Sequence, residues 1–412
     1  MYSILFSLSY ILAWLLYPFN TKIRLWLKGN IGNIKSIKEL RKNDDAPLVW
    51  IHCASLGEFE QGKPLLEAFM QENPNYKSLV TFFSSSGYIP SKKYNADYIA
   101  YLPLDTWFNA KRFIDAVRPK IVFWVKYDFW KNHLKVLYKK NIPCYLVSAV
   151  FRTEQIYFKT AGRIFGFSKV LHYFKHLFVQ TKQSKQLLES INIANVTVSG
   201  DTRFDRVREI AQTEFQNSII EKFVENSDKI LIIGSSWPKD EVVIADAAKN
   251  IENLKLIVVP HEIDSERIDD CEKTFSMFKT IRYSQANTEN VSTYNTLIVD
   301  TIGMLSRIYR FANAAYIGCG FDHGIHNVLE AAVYGKPVVF GPKYTKFEEA
   351  KDLIALGGAY SISNAKELDL IFDLWLNNDD LRRQGEICAA YVQENSGSTN
   401  KILTKIREDF EF

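Results

Sequence analysis

Four short stretches combine residue types and spacings that can do chemistry. In Ser55-Leu56-Gly57-Glu58 a carboxylate stands at the expected start of a helix, just after the apolar run Leu48–His52. Open parallel sheets place ligands at the carboxyl ends of their strands. A carboxylate there can take a proton from an attacking hydroxyl. Ser-x-x-Glu is also a capping box, with Ser55 as N-cap and Glu58 reaching back to its N–H, and spacing alone favours the cap. In Val198–Asp205, Arg203 lies between Asp201 and Asp205, which reads by itself as an ordinary ion pair. Lys126 is the cation in the aromatic run Phe123-Trp124-Val125-Lys126-Tyr127-Asp128-Phe129-Trp130.

The fourth stretch, Ala314 to Pro342, reads as strand, glycine-rich loop, helix and strand. Ala315–Ile317 runs into Gly318 and Gly320, and Phe321–Gly324 is a loop. Helical spacing covers Asn327–Tyr334, Gly335 closes that helix, and Pro337–Phe340 is a buried strand. Such a unit turns free N–H groups and a helix N-terminus toward one point, which suits an anion such as phosphate. His326 and Glu330, four apart, are expected to share a helix face, where Glu330 can accept hydrogen bonds from ribose hydroxyls. Parallel sheets use the same units with no ligand at all, their glycines serving only the turns. His323 stands where a dinucleotide fingerprint requires its third glycine, so this is not a clean hydride-transfer motif. Ser235 and Ser236, ahead of Pro238, suit either a phosphate or a plain helix start, with Asp240 and Glu241 in the first turn.

The elements that must position these residues alternate. Leu48–His52, Ser78–Phe83, Tyr98–Leu102, Lys120–Val125, Pro143–Val147, Leu177–Gln180 and Val196–Ser199 read as one set of buried strands. Lys229–Ile233, Leu254–Val259, Lys279–Tyr283, Thr296–Asp300, Ala314–Ile317 and Pro337–Phe340 read as a second. With helices between them, each set predicts a parallel, doubly wound α/β sheet. Residues 29–46 read as a polar connector and 206–227 as a polar helical link.

Length and composition agree with two domains: 412 residues, 47% apolar and 24% charged. The net charge of +4 conceals an asymmetry. Residues 1–200 hold 27 Lys+Arg against 13 Asp+Glu, and the remainder 24 against 34. A basic front half points to an anionic partner: a membrane surface, nucleic acid or a phosphorylated substrate. Five scattered cysteines without a C-x-x-C pair indicate neither a metal nor a disulfide framework. No H-E-x-x-H or D-x-D motif is present either. Residues 1–21 carry no charge, and Lys22, Arg24 and Lys28 follow. That order is wrong for a secretory signal, whereas Tyr10, Trp14, Tyr17 and Trp26 are types that sit at headgroup level. Residues 1–28 are therefore expected to form a membrane-associated helix, spanning or interfacial, with the bulk of the chain on the cytoplasmic side.

HGIHNVLEAAVYGKPVVFGP resembles the donor-site segment of the 3-deoxy-D-manno-octulosonic acid (Kdo) transferases, which usually read GGHN-P-LE. WIHCASLGE resembles that family's S-V-G-E segment, with Leu56 for Val. Gly200–Asp205 resembles its G-x-x-K-F-D, with Arg203 for Lys, and Asp300–Leu305 resembles D-T-x-G-E-[LM], with Met304 for the acid. Asp128 and Trp130 match a fifth segment in which Lys126 replaces an acid, and His261 after Pro260 replaces an Arg. These motifs stand in the family's order over essentially the whole chain.

The resemblance implies a GT-B architecture, two Rossmann-like domains facing a cleft. Residues 47–206 would form the acceptor domain, 228–390 the CMP-Kdo domain and 391–412 a C-terminal helix. It implies an inverting, metal-independent transfer of Kdo from CMP-Kdo to the lipid A precursor, on the cytoplasmic face of the cell inner membrane. No cofactor and no nucleic acid would take part. Glu58 would be the general base, and Arg203 would offset charge at the reacting centre, where it keeps the Lys charge as a fork. Lys126, now uncertain as a catalytic residue, would bind a phosphate or the Kdo carboxylate or serve structure. Pro260, His261, Gly303, Met304, Leu305, Asn327, Val328, Leu329 and Glu330 would contact the donor, and a helix N-terminus would receive the leaving phosphate. The alternatives are a GT-B-like sugar-nucleotide epimerase, another membrane-associated nucleotide-sugar glycosyltransferase, or a membrane-tethered scaffold without nucleotide affinity.

Overall fold

The computed structural model describes residues 14–160, 162, 166–375 and 378–409. Most of the apolar segment 1–21 thus lies outside the described residues. Contacts divide the chain into one unit of residues 1–206 with 396–412 and another of residues 207–395.

The first unit is built on seven strands: β1 (Leu48–Cys53), β2 (Lys77–Phe82), β3 (Tyr98–Tyr101), β4 (Ile121–Val125), β5 (Cys144–Ala149), β6 (His176–Val179) and β7 (Val196–Val198). All are parallel, in the order 3-2-1-4-5-6-7. Both faces are covered, so the strands are continuous apolar runs, as parallel sheets require. Side chains alternate between two cores. Leu48, Trp50, Val122 and Trp124 point to one, and Val49, Ile51, Ile121 and Phe123 to the other. Ile402, Leu403 and Ile406 of the terminal helix Ser398–Asp409 close the second core. Asp205 fixes the start of that helix by accepting the Gly397 and Thr399 N–H groups at 2.5 and 2.6 Å.

The second unit repeats the plan with β8 (Ile230–Ser236), β9 (Lys255–Pro260), β10 (Thr280–Arg282), β11 (Thr296–Ile298), β12 (Ala314–Ile317), β13 (Val338–Phe340) and β14 (Ala359–Ser361), in the order 10-11-9-8-12-13-14. The order reverses between β1 and β4 in the first sheet and between β8 and β12 in the second, where β10 and β11 are also exchanged at the edge. Loops leave such a point in opposite directions and open a crevice at the strands' carboxyl ends.

Three sequence expectations need correction. Residues 29–46 are not a plain connector. A helix, Asn33–Leu40, forms there because Ile37 finds a buried place against the first unit. Strand β14 was not expected, and it is only three residues long. The helix expected over Asn327–Tyr334 is a single turn, Leu329–Ala332, with Val328 as N-cap. His326 precedes it in non-helical backbone, so His326 and Glu330 do not share a helix face.

At the front of the chain, Asn20 caps the helix Thr21–Asn30, its side chain accepting the Ile23 N–H at 3.1 Å. Trp14, Leu15, Leu16 and Phe19 are exposed, Phe19 to 86%. No helix among the described residues is long and apolar enough to cross a membrane.

Candidate active site

Glu58 stands in the first turn of the helix Leu56–Glu72, which β1 feeds directly. Ser55 is the N-cap by backbone conformation, but its side chain makes no capping bond. The reciprocal capping box expected from Ser-x-x-Glu is therefore not formed. Instead the Glu58 carboxylate takes the Ala54 N–H at 2.5 Å, one residue further back. That bond holds the carboxylate over the end of β1, beside β4, where the strand order reverses. Burial pushes the Glu58 carboxyl above the ordinary 4.5, and Asp128 adds to the rise. The Ala54 N–H, Lys126 and the Ser55 N–H oppose it. A base must be ionised to act, so its share of activity is lost as pH falls through the raised value. The acid limb of kcat/KM is accordingly expected above pH 4.5. A pH–rate profile with its limb at or below that value would contradict this environment for the base.

Lys126 follows β4 immediately and adopts a left-handed φ of 59°, uncommon outside glycine. Its N–H donates to Val147 O at 3.0 Å, and its Nζ lies 5.9 Å from the Tyr127 ring centroid. The loop that carries it is anchored from beneath. The Asp105 carboxylate, fully buried, accepts the Asn132 and His133 N–H groups and meets His133 Nδ1 at 2.6 Å. Asp105 thereby caps the helix Lys131–Lys139 and fixes where the Lys126–Trp130 loop must end.

Arg203 lies in the first turn of the helix Thr202–Gln212. Its Nε donates to Asp201 Oδ2 at 2.8 Å and its N–H to Asp201 Oδ1 at 2.9 Å, the ion pair that spacing alone implied. Tyr127, whose hydroxyl burial holds above its usual value, feels Arg152, Asp201 and Glu58. The first unit therefore gathers Glu58, Lys126, Asp128 and the Asp201–Arg203 pair around Tyr127. Tyr127, Asp201 and Arg152 were not singled out as site residues. Arg152 had a signal in the sequence, a cation three residues past the end of β5.

In the second unit the loop after β8 and the end of β12 with its loop meet around Asp240. This fully buried carboxylate accepts the Trp237 N–H at 2.9 Å, the Cys319 N–H at 2.7 Å and the Tyr316 hydroxyl at 2.8 Å. It thus occupies the N-terminus of the helix Pro238–Ala248 itself. Neither this capped end nor the single turn Leu329–Ala332 is the open helix N-terminus expected to receive a phosphate. Ser236 is engaged too, donating its hydroxyl to Glu241 Oε1 at 2.6 Å. Gly318 is obligatory, since a Cβ there would lie 2.1 Å from the Ser235 carbonyl oxygen.

The expected donor contacts fall into three groups. Pro260 ends β9, and the His261 N–H donates to Ser236 O at 3.1 Å. The His261 ring stacks on Trp237 at 5.4 Å and on His326 at 4.6 Å. Gly303, at φ 94°, turns the chain into Met304 and Leu305 at the start of the helix Leu305–Ile308. Asn327 donates its side-chain amide to Glu330 Oε1 at 3.2 Å and accepts the Leu329 N–H, while Val328 and Leu329 are fully buried. Val328 and Leu329 can therefore offer a ligand little beyond backbone. Among the described residues no group of three or more His, Cys, Asp or Glu is placed to hold a metal ion.

Two parallel sheets of this topology are those of the GT-B class of folds. UDP-GlcNAc 2-epimerase from Neisseria meningitidis shares it at TM-score 0.62 and 15% identity, covering 88% of this chain and all of that one. MurG from Acinetobacter baumannii shares it at TM-score 0.57 and 11% identity, over 88% and 99%. Within that class, residues 28–206 match the family model described as 3-Deoxy-D-manno-octulosonic-acid transferase (kdotransferase). A 3-deoxy-D-manno-octulosonic acid transferase of Rickettsia bellii is 24% identical over 98% of this chain and 99% of its own. One from Aquifex aeolicus is 28% identical over 80% and 86%. Over residues 28–206 the chain thus carries a match to the Kdo transferase family model, and over most of its length it is similar to Kdo transferases.

Proposed function

We propose that the protein transfers Kdo from CMP-Kdo to a lipid A precursor at the cytoplasmic face of the inner membrane. The observation that carries this reading is the Glu58 carboxylate, held on the Ala54 N–H at the reversal point of the first sheet. Glu58 takes the proton of a glucosamine hydroxyl of the acceptor. That oxygen attacks the anomeric carbon of Kdo as the bond to the CMP phosphate oxygen breaks. A single attack from the opposite face inverts the anomeric configuration. Arg203, steadied by Asp201, and Lys126 offset negative charge, so the step needs no metal. Incubation with donor and acceptor followed by anomeric analysis of the product tests the reading. Retention of configuration would contradict the one-step attack.

Residues 303–305 and 327–330 form the cytidine and ribose side, with Glu330 accepting hydroxyls. Glu330→Ala is expected to weaken CMP binding by about ten- to a hundredfold, the loss of a charged hydrogen bond of roughly 1.5–3 kcal/mol. Calorimetry giving unchanged affinity in a folded variant would remove Glu330 from the site.

Membrane attachment is part of the same reading. Exposed Trp14, Leu15, Leu16 and Phe19, followed by basic residues, suit an interface. Deleting residues 1–20 is expected to release the protein from membranes with both sheets folded. A truncated protein that still pellets with membranes in high salt would place the anchor elsewhere.

A further inference from the structure

Beside the loops of the second unit stands a column of rings: Trp237 after β8, His261 after β9 and His326 after the glycine-rich loop of β12. Centroid distances are 5.4 Å and 4.6 Å and the planes lie within 28° of parallel. His323 meets Trp237 edge-on at 6.1 Å. Stacking explains the rings but not their polar atoms. His326 Nε2 and Trp237 Nε1 are both buried and find no hydrogen-bond partner among the described residues. A polar group buried without a partner is destabilising. His261, which lies between the two rings, is exposed.

We propose that His326, through its Nε2, binds an oxyanion of the nucleotide-sugar donor, a phosphate or carboxylate oxygen, and takes up a proton as it does so. This rests on the reading of the second unit as the donor site. In the unliganded protein, burial and the neighbouring His261 hold the His326 imidazole down at about 4, hence neutral at physiological pH. The other ionisable groups around the column are few. Asp240 is spent on the Trp237 and Cys319 N–H groups and the Tyr316 hydroxyl. Lys239 and Asp322 pair with one another, and Lys343 donates to Asp322 O. His323 lies across Trp237, and Glu330 is held by Asn327. An anion arriving at Nε2 favours the imidazolium and raises its value by about one to three units, as an opposite charge within bonding reach does. Because the bound state holds the extra proton, affinity is gained as pH falls through the bound-state value and lost above it.

Calorimetry with cytidine 5′-methylphosphate, a phosphodiester that does not titrate near neutrality, tests this on the full chain. Titrations run from pH 8 to pH 5.5, in two buffers of different ionisation enthalpy, with free Kdo as the carboxylate arm. Binding of the diester, of Kdo or of both is expected to tighten toward pH 5.5, about fourfold for a rise of two units and about thirtyfold for three, with net proton uptake. The arm that shows the uptake identifies the group. His326→Gln is expected to abolish the uptake. Binding without proton uptake in the wild-type protein, or uptake that survives in His326→Gln, overturns the inference and leaves the donor site standing. No binding of either probe at any pH overturns both.

Discussion

Replacing Glu58 by glutamine is expected to lower turnover about a hundredfold or more, with CMP affinity and melting temperature nearly unchanged. Glutamine keeps the length of the side chain and a carbonyl oxygen that can still accept the Ala54 N–H. It cannot take a proton from the acceptor hydroxyl, and general-base assistance contributes about a hundredfold or more to rate. A purely capping role predicts something else. Since Ser55 makes no side-chain cap and Glu58 takes a backbone N–H outside the helix, Gln would keep that one bond. Turnover would then stay near wild type. The CMP contacts are assigned to the other unit, so a loss of affinity comparable to the loss of rate would also speak against the base assignment. Turnover, calorimetry and thermal melting on this one variant separate the possibilities.

Asp240→Ala is expected to have the largest effect on stability, about 3–5 kcal/mol of the second unit. Alanine leaves the Trp237 and Cys319 N–H groups and the Tyr316 hydroxyl buried without their acceptor, and each such group costs about 1–3 kcal/mol. In a unit of this size that lowers Tm by roughly 10 °C or more. Asp240→Asn should be far milder. Its carbonyl can hold the two N–H groups, and its amide can donate to the Tyr316 oxygen. The charge has a pH signature as well. Burial raises the Asp240 carboxyl above the ordinary 3.8. Its contribution to stability is therefore fullest below that ordinary value and is lost as pH rises through the raised one. Asn removes that dependence. If Ala and Asn melt alike, the three-donor network is not what joins these loops.

How much of this was legible in the sequence depended on the range of the interaction. Thirteen of the fourteen strands show as apolar runs, because strands buried on both faces leave a continuous signal. The fourteenth, Ala359–Ser361, is an edge strand behind Gly357-Gly358 in which only Ala359 is buried, so Ala-Tyr-Ser leaves no apolar run to read. The helix Asn33–Leu40 was hidden by its polar residues, since only Ile37 is buried. Within the site, Glu58 could be picked out by its place after β1, but its bond to Ala54 N–H in place of a reciprocal box could not. The Arg203–Asp201 pair is local and was readable from spacing. Asp240 was visible only as a first-turn acid. Its bonds to Cys319 and Tyr316 bridge some eighty positions of sequence and exist only once β8 and β12 lie side by side. The column Trp237–His261–His326 is of the same kind, assembled from three loops that the sequence keeps far apart.

The central claim is the reaction itself. The protein is to be incubated with CMP-Kdo and an acylated, phosphorylated glucosamine disaccharide, and the products read by mass spectrometry. The expected result is a disaccharide heavier by one or more Kdo residues, with CMP released only when both substrates are present. An unchanged acceptor alongside a sugar nucleotide altered without any acceptor would contradict Kdo transfer and favour an epimerase.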